Sequence, residues 1–225
     1  MRRRVIIIVY PRMYSTIFPA QGAEMKDKKV FVAGCGGLGC YEVELLARLG
    51  VGEIIVADGD RFSPGNMNRQ LYCLPGTIGR YKAEVASERW PGTVKGICDF
   101  ITEKNAAELI RGADLVVDAL DTAQARRTLA SACEAEGITM IHGAIGDTNA
   151  QCCVIFPGDL DILETLYPAE PDRVATASYT PAFCASMQIS LAARLLRGEK
   201  IKRRSLYLAD LEGLEISQLS LPCSE

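Results

Sequence analysis

Histidine is almost absent from this chain: His142 is the only one in 225 residues. Nine cysteines are present, at positions 35, 40, 73, 98, 133, 152, 153, 184 and 223, but no two of them form a C-x-x-C pair. Structural zinc sites draw on such pairs and on histidine, so no zinc is expected. In a reducing compartment most of these thiols are expected to serve as small buried hydrophobes. Long apolar runs are missing too. No segment approaches the roughly 18 apolar residues of a membrane helix. The three arginines at 2–4 and the run Val5 to Val9 begin like a signal peptide. That run is too short for an h-region, and Tyr10-Pro11-Arg12 follows at once, so a cytoplasmic protein is expected. Neither sign of charge dominates: 25 Lys and Arg stand against 28 Asp and Glu, a net charge of −3. Such a balance gives no electrostatic reason to expect nucleic acid as the main partner. Internal repeats and low-complexity tracts are absent.

What is there is an ordinary globular composition. Hydrophobic residues make up 48% and charged residues 24%, enough to bury a sizeable core in one large domain. The core pattern begins at Lys29. Val30 to Ala33 is a short apolar run ending in glycines, which suits a buried parallel strand. Tyr41 to Leu49 then carries apolar residues at helical spacing, ended by Gly50. Glu53 to Asp58 reads as a second strand, which completes a βαβ unit. The alternation continues with helices at 82–90, 105–111 and 122–136. Strands are expected at 93–97, 115–119 and 138–141. This predicts a Rossmann-like, doubly wound, mostly parallel sheet. Its last third should differ. A strand at 152–156 is followed by a proline-bearing excursion over about 157–180. A helix runs from Thr180, with Pro181 in its first turn, to about Arg197. Two antiparallel strands, 206–211 and 214–219, close the chain. Residues 1–28 read as an N-terminal segment and 29–225 as a single domain.

The chemistry concentrates after the first strands. Gly34-Cys35-Gly36-Gly37-Leu38-Gly39 fits G-x-G-x-x-G between a strand and a helix. There the backbone can approach a phosphate, and free N–H groups of the helix N-terminus face it. Asp58, 19 residues after Gly39, stands where an acidic residue takes ribose hydroxyls. These features alone fit a nicotinamide-dependent oxidoreductase. Asp60 follows as a further nucleotide-binding candidate, and the next residues favour a triphosphate: Asn66, Arg69, Gln70 and Lys82 form a cluster of polar donors beside the fingerprint. A triphosphate needs more cations than a dinucleotide does. Asp118-Ala119-Leu120-Asp121 follows an apolar strand, so its acids sit at the carboxyl edge where open α/β sheets bind ligands. Asp121 facing a triphosphate is a natural Mg²⁺ ligand; its other reading is the cap of the following helix.

In this order and spacing, GCGGLG, ADGD, NMNRQ, IGRYKAE and DALD resemble the ThiF/MoeB/HesA adenylyltransferases, bacterial relatives of ubiquitin-activating enzymes. The likeness runs from about Tyr10 to Leu219. It implies ATP held by the glycine turn and Asp58, phosphates met by Asn66, Arg69 and Lys82, and Mg²⁺ on Asp121. It implies a homodimer in which Arg12 reaches into the partner subunit's site. The substrate implied is the C-terminal Gly-Gly carboxylate of a ubiquitin-like sulfur carrier of the thiamine or molybdopterin type. A sulfur donor, such as a cysteine desulfurase, would follow. The chain departs from the pattern in four places. Val9 replaces the first arginine of the N-terminal R-Y-x-R element. The two zinc-binding C-x-x-C pairs are missing. Thr122 stands where asparagine is usual. The excursion from Pro157 to Tyr179 has no cysteine, and Cys184 just beyond it reads as a packed thiol. The same adenylation on a tRNA base or a peptide is the alternative acceptor reading, and a nucleotide-binding regulator without catalysis is a further rival.

Overall fold

The apolar run before the glycine turn forms β1 (Lys29–Ala33), and strands and helices then alternate. They are α1 (Gly37–Leu49), β2 (Glu53–Ala57), α2 (Lys82–Arg89), β3 (Val94–Ile97), α3 (Ala106–Ile110), β4 (Leu115–Asp118), α4 (Ala123–Glu136) and β5 (Met140–Gly146). After β6 (Asn149–Ile155) come α5 (Asp161–Leu166), α6 (Thr180–Leu196), β7 (Ser205–Asp210) and β8 (Glu215–Ser220). The structure is a computed structural model that describes residues 25–170 and 174–222. Tyr10, Arg12 and most of the N-terminal segment lie outside the described residues.

All eight strands form one sheet in the order β3-β2-β1-β4-β5-β6-β7-β8. The first five pair in parallel and the last three antiparallel. Strand order reverses between β1 and β4, which opens a crevice at their carboxyl ends. Along β1, Val30 and Val32 join the apolar cluster that includes Leu46 of α1 and Leu191 of α6. Phe31 and Ala33 face the opposite cluster, with Leu129 of α4 and Ile162 of α5. A strand covered on both faces has no polar side, so its sequence reads as a continuous apolar run. The expected architecture is therefore observed: a doubly wound sheet with a C-terminal helix and an antiparallel extension.

Two local expectations are corrected. The strand expected at 138–141 is longer and shifted. Ile138 and Thr139 precede β5, which continues to Gly146 and turns back through Asp147 into β6, with Gly146 opposite Asn149. The pairing of β5 with β6 overrides the weak strand propensity of its glycines. The excursion after β6 is not wholly irregular, because α5 forms within it. Its Ile162 and Leu163 are fully or almost fully buried, so tertiary burial sustains a helix too short to persist alone. The outermost strand β8 is exposed along its whole length. Among the described residues, no helix is long and apolar enough to cross a membrane.

Candidate active site

The glycine turn is held from two sides. Gly34 has φ +94°, and a Cβ there would sit 3.0 Å from the carbonyl oxygen of Ala119 beyond β4. Its N–H donates to the Ala57 carbonyl at 2.8 Å. A Cβ on Gly39 would fall 2.0 Å from the Gly34 oxygen. Gly39 therefore lets α1 press against the turn, and no side chain fits between them. The N-cap of α1, Gly36, offers no side-chain cap, which leaves the first-turn N–H groups to a ligand. Asp58, just past β2, ties this turn down. One carboxylate oxygen accepts from the Cys35 N–H at 2.7 Å, and the other accepts from the Asp60 N–H at 2.8 Å. Burial raises the Asp58 pKa above the ordinary carboxylate value, while Lys82 and the two backbone donors pull it back.

Lys82 opens α2. Its ammonium lies 3.1 Å from Asp60 Oδ2 and 3.9 Å from Asp58 Oδ2, with only 8% of the side chain exposed. Arg69 is half-buried, and its Nη1 donates to the Gly65 carbonyl and to Asn68 Oδ1. Gln70 is buried, and its Oε1 has no protein partner. An acceptor of that kind is costly unless a ligand or water donates to it. These groups surround a cavity of about 820 Å³, within the roughly 300–1,000 Å³ typical of ligand sites.

The structure brings together most of the residues singled out from the sequence. Gly34, Gly36, Gly37, Asp58 and Asp60 line this cavity, as do Arg69, Gln70, Lys82 and Asp121. Gly39 lies behind the turn. Asn66 is not in the cavity wall; its Oδ1 accepts from the backbone and hydroxyl of Ser63 and so closes a short 3₁₀ turn. Arg12 falls outside the described residues.

At the end of β4 the two carboxylates part. Asp121 is exposed and faces the cavity. The cap of α4 is Thr122, whose Oγ1 accepts from the Ala125 N–H at 3.2 Å; the helix does not draw on Asp121 for its cap. Mg²⁺ usually takes one or two carboxylates and completes its shell with phosphate oxygens and water. Asp121 lines the same cavity as Arg69 and Lys82, which fits that role.

Asp118 is fully buried and accepts from the Leu120 N–H at 2.9 Å. It lies 2.7 Å from Nδ1 of His142, the residue opposite it on β5. Nε2 of His142 meets the Tyr167 hydroxyl at 2.9 Å, and Gln151 donates to that hydroxyl at 3.2 Å. Arg126 brings Nε to 3.6 Å from Asp118 and lays its guanidinium over the Tyr167 ring. In the sequence His142 stands out only as the lone histidine, too few for a zinc site, and nothing there singles out Tyr167 or Arg126. The available signal was register. Asp118 and His142 each end an apolar run, and neighbouring parallel strands bring such ends together.

Cys184 is buried on α6, with its thiol against the carbonyls of Ala144 and Gln151. Burial pushes its pKa well above that of an ordinary thiol. Only thiolates are good nucleophiles. Cys184→Ser is therefore expected to leave adenylation within about twofold of wild type, since a packed thiol contributes no nucleophile. A non-reducing gel should show no thiol-labile enzyme–substrate adduct; an adduct lost only in this variant would show the thiol to be reactive.

Fold and site together define a doubly wound α/β protein with an acidic and cationic mouth at its switch point. The chain belongs to the ThiF family, whose pattern matches residues 10–223. It is 38% identical over 146 residues to the tRNA threonylcarbamoyladenosine dehydratase of Haemophilus influenzae, covering 61% of this chain and 55% of that one. It is 30% identical over 224 residues to the sulfur carrier protein ThiS adenylyltransferase of Bacillus subtilis, covering 93% of this chain and 67% of that one. The crystal structure of Escherichia coli MccB with ATP superposes with a TM-score of 0.75 at 20% identity. That match covers 88% of this chain and 65% of MccB, and it supports the fold alone. The chain thus spans about half the length of the dehydratase and two thirds of the other two proteins.

Proposed function

We propose that this protein is an ATP- and Mg²⁺-dependent adenylyltransferase. Its proposed substrate is the C-terminal glycine carboxylate of a ubiquitin-like sulfur-carrier protein of the thiamine or molybdopterin type. One observation carries the reading: Lys82, Arg69 and Asp121 share a single cavity with the glycine turn. A dinucleotide leaves that grouping without a task. The relative named as a ThiS adenylyltransferase supports the carrier as acceptor. A carboxylate oxygen of the carrier attacks the α-phosphorus of ATP, the bond to the β-phosphate oxygen breaks, and pyrophosphate leaves with that electron pair. The product is an acyl adenylate ready for a sulfur donor such as a cysteine desulfurase. No protein nucleophile is required, so the chain contributes alignment and charge. The glycine turn and the α1 N-terminus take phosphate oxygens, Lys82 and Arg69 neutralise charge that develops on the leaving group, and Gln70 Oε1 accepts from the nucleotide. Asp121 would hold Mg²⁺, which when bound draws phosphate oxygens together and neutralises them. In this reading residues 29–225 are the adenylation domain of a cytoplasmic homodimer, and Arg12 in residues 1–28 serves the partner subunit's site.

A second acceptor, a tRNA nucleoside, rests on the relative named as a tRNA threonylcarbamoyladenosine dehydratase. Both acceptors use the same ATP site. Calorimetric titration is expected to show binding of ATP–Mg²⁺ and none of NAD. Tight NAD binding with no ATP binding would replace the adenylation reading with a nicotinamide-dependent one.

A further inference from the structure

The most elaborate buried polar array in the described molecule lies outside the phosphate cradle. It runs from Asp118 on β4 through His142 on β5 to Tyr167, the residue that ends α5, with Gln151 of β6 as its last donor. Asp118 and His142 are wholly buried and Tyr167 is 6% exposed. Burial lowers the His142 pKa and raises that of Tyr167 to about 12, so imidazole and phenol are both neutral near pH 7. The proton positions follow from satisfying each partner. Asp118 can only accept, so Nδ1 carries the histidine proton. Nε2 is then an acceptor for the Tyr167 hydroxyl, which keeps its proton, and Gln151 donates to the phenol oxygen. No link in the chain faces the wrong way.

The array does more than fill a core. Tyr167, Gln151 and Arg126 all line the same cavity as Asp121. The backbone around Tyr167 is pinned to α4, the helix that starts just after Asp121. Arg127 donates to the Tyr167 carbonyl, and the Ala123 N–H donates to both carboxylate oxygens of Glu170, at 3.0 and 3.1 Å. The segment that follows α5 is thus tied to the sheet through a phenol and to the α4 N-terminus through a carboxylate. The glycine turn abuts the end of β4 at Ala119, but among the described residues no hydrogen bond joins the turn, Asp58 or Lys82 to Asp118, His142 or Tyr167.

We infer that Asp118, His142 and Tyr167 form a strut that positions the start of the crossover segment and Arg126 as the acceptor-binding wall, independently of the ATP-binding wall. Tyr167 and His142 are then positioning residues for the acceptor. This rests on the adenylation reading for the identity of the acceptor, and on geometry alone for the strut. Tyr167→Phe removes one hydroxyl and keeps the ring. His142→Asn keeps a donor near the Nδ1 position and withdraws the acceptor from Tyr167. Tyr167→Phe strips the partner from His142 Nε2 and from the Gln151 amide, and His142→Asn strips the acceptor from the Tyr167 hydroxyl; both break the strut at the same link, so the two variants should shift both readouts in the same direction.

The test has two readouts. Hydrogen exchange of the amides of residues 161–170 is expected to be about tenfold faster in both variants, because local opening becomes easier. In ATP–pyrophosphate exchange driven by a ubiquitin-like carrier ending in Gly-Gly, the carrier KM is expected to rise about tenfold, as for one lost buried hydrogen bond, while the ATP Kd changes less than twofold. Unchanged amide exchange in both variants overturns the strut, whatever the activity. Faster amide exchange with an unchanged carrier KM, or an ATP Kd that rises in step with it, overturns the acceptor role. A wild-type protein that supports no exchange with any carrier defeats the carrier as acceptor, and the acceptor role argued here with it. The amide data still decide the strut in that case.

Discussion

Replacing Asp121 with alanine is expected to abolish Mg²⁺-dependent ATP–pyrophosphate exchange while leaving the fold intact. The carboxylate stands past the end of β4, exposed in the cavity wall, and Thr122 rather than Asp121 caps α4. In the proposed function its removal would take away the Mg²⁺ ligand, from an exposed position outside the buried core. A metal ion on the reacting phosphates supplies several kcal/mol of charge stabilisation, so exchange should fall by at least about a hundredfold. Melting temperature should move by no more than a few degrees, as for a surface substitution of about 0.5 kcal/mol. Asp121→Asn keeps the shape and should lose nearly as much activity, because the lost property is charge. Undiminished Mg²⁺-dependent exchange in Asp121→Ala would remove Asp121 from the metal site.

Lys82→Ala is expected to damage both activity and stability. Loss of a charge-stabilising donor should lower exchange by roughly 10²–10³-fold. Lys82 also faces Asp58, whose side chain is only 10% exposed and whose pKa burial already raises. Without the ammonium, a buried carboxylate loses its cation, and stability should fall by about 3 kcal/mol. The pH dependence follows from the direction of the Asp58 shift. A carboxyl group whose folded pKa lies above its unfolded one gains stability when it takes up a proton on acidification. The stability deficit of Lys82→Ala should therefore be fully present at neutral pH and shrink as pH falls through the raised Asp58 value. Equilibrium urea unfolding at several pH values measures this. A deficit that grows on acidification would mean that Asp58 does not govern it.

Most of the fold was legible because its signals are short-range. Val30 to Ala33 is apolar on both faces, and glycines follow it at a strand-to-helix turn; that combination leaves few alternatives to a βαβ unit. Asp58, Lys82 and Asp121 were legible for the same reason, since each sits within three residues of the end of a strand or opens a helix. Asn66 shows the limit of this reasoning. Its position beside Arg69 suggested a phosphate ligand, yet its Oδ1 is turned towards Ser63. Competition between local turn capping and a ligand cannot be weighed without the turn geometry. The Asp118–His142–Tyr167 array was illegible for another reason. Its members come from three elements, and Tyr167 reaches His142 only because α5 forms in a stretch that reads as irregular. The β5–β6 hairpin escaped notice because Asp147-Thr148 lacks the Asn-Gly or Asp-Gly signal of tight turns.

The central claim is that ATP is used to activate a carboxylate. Its most direct measurement is incorporation of labelled pyrophosphate into ATP by the wild-type protein, with Mg²⁺, against each Gly-Gly-ended ubiquitin-like protein of the same source. The account predicts exchange that requires ATP, Mg²⁺ and one such carrier, and that stops when the carrier's terminal glycine is removed. Exchange with none of them, together with adenylation of a tRNA in the same preparation, would contradict the carrier as acceptor; no turnover of ATP with any acceptor would contradict the account as a whole.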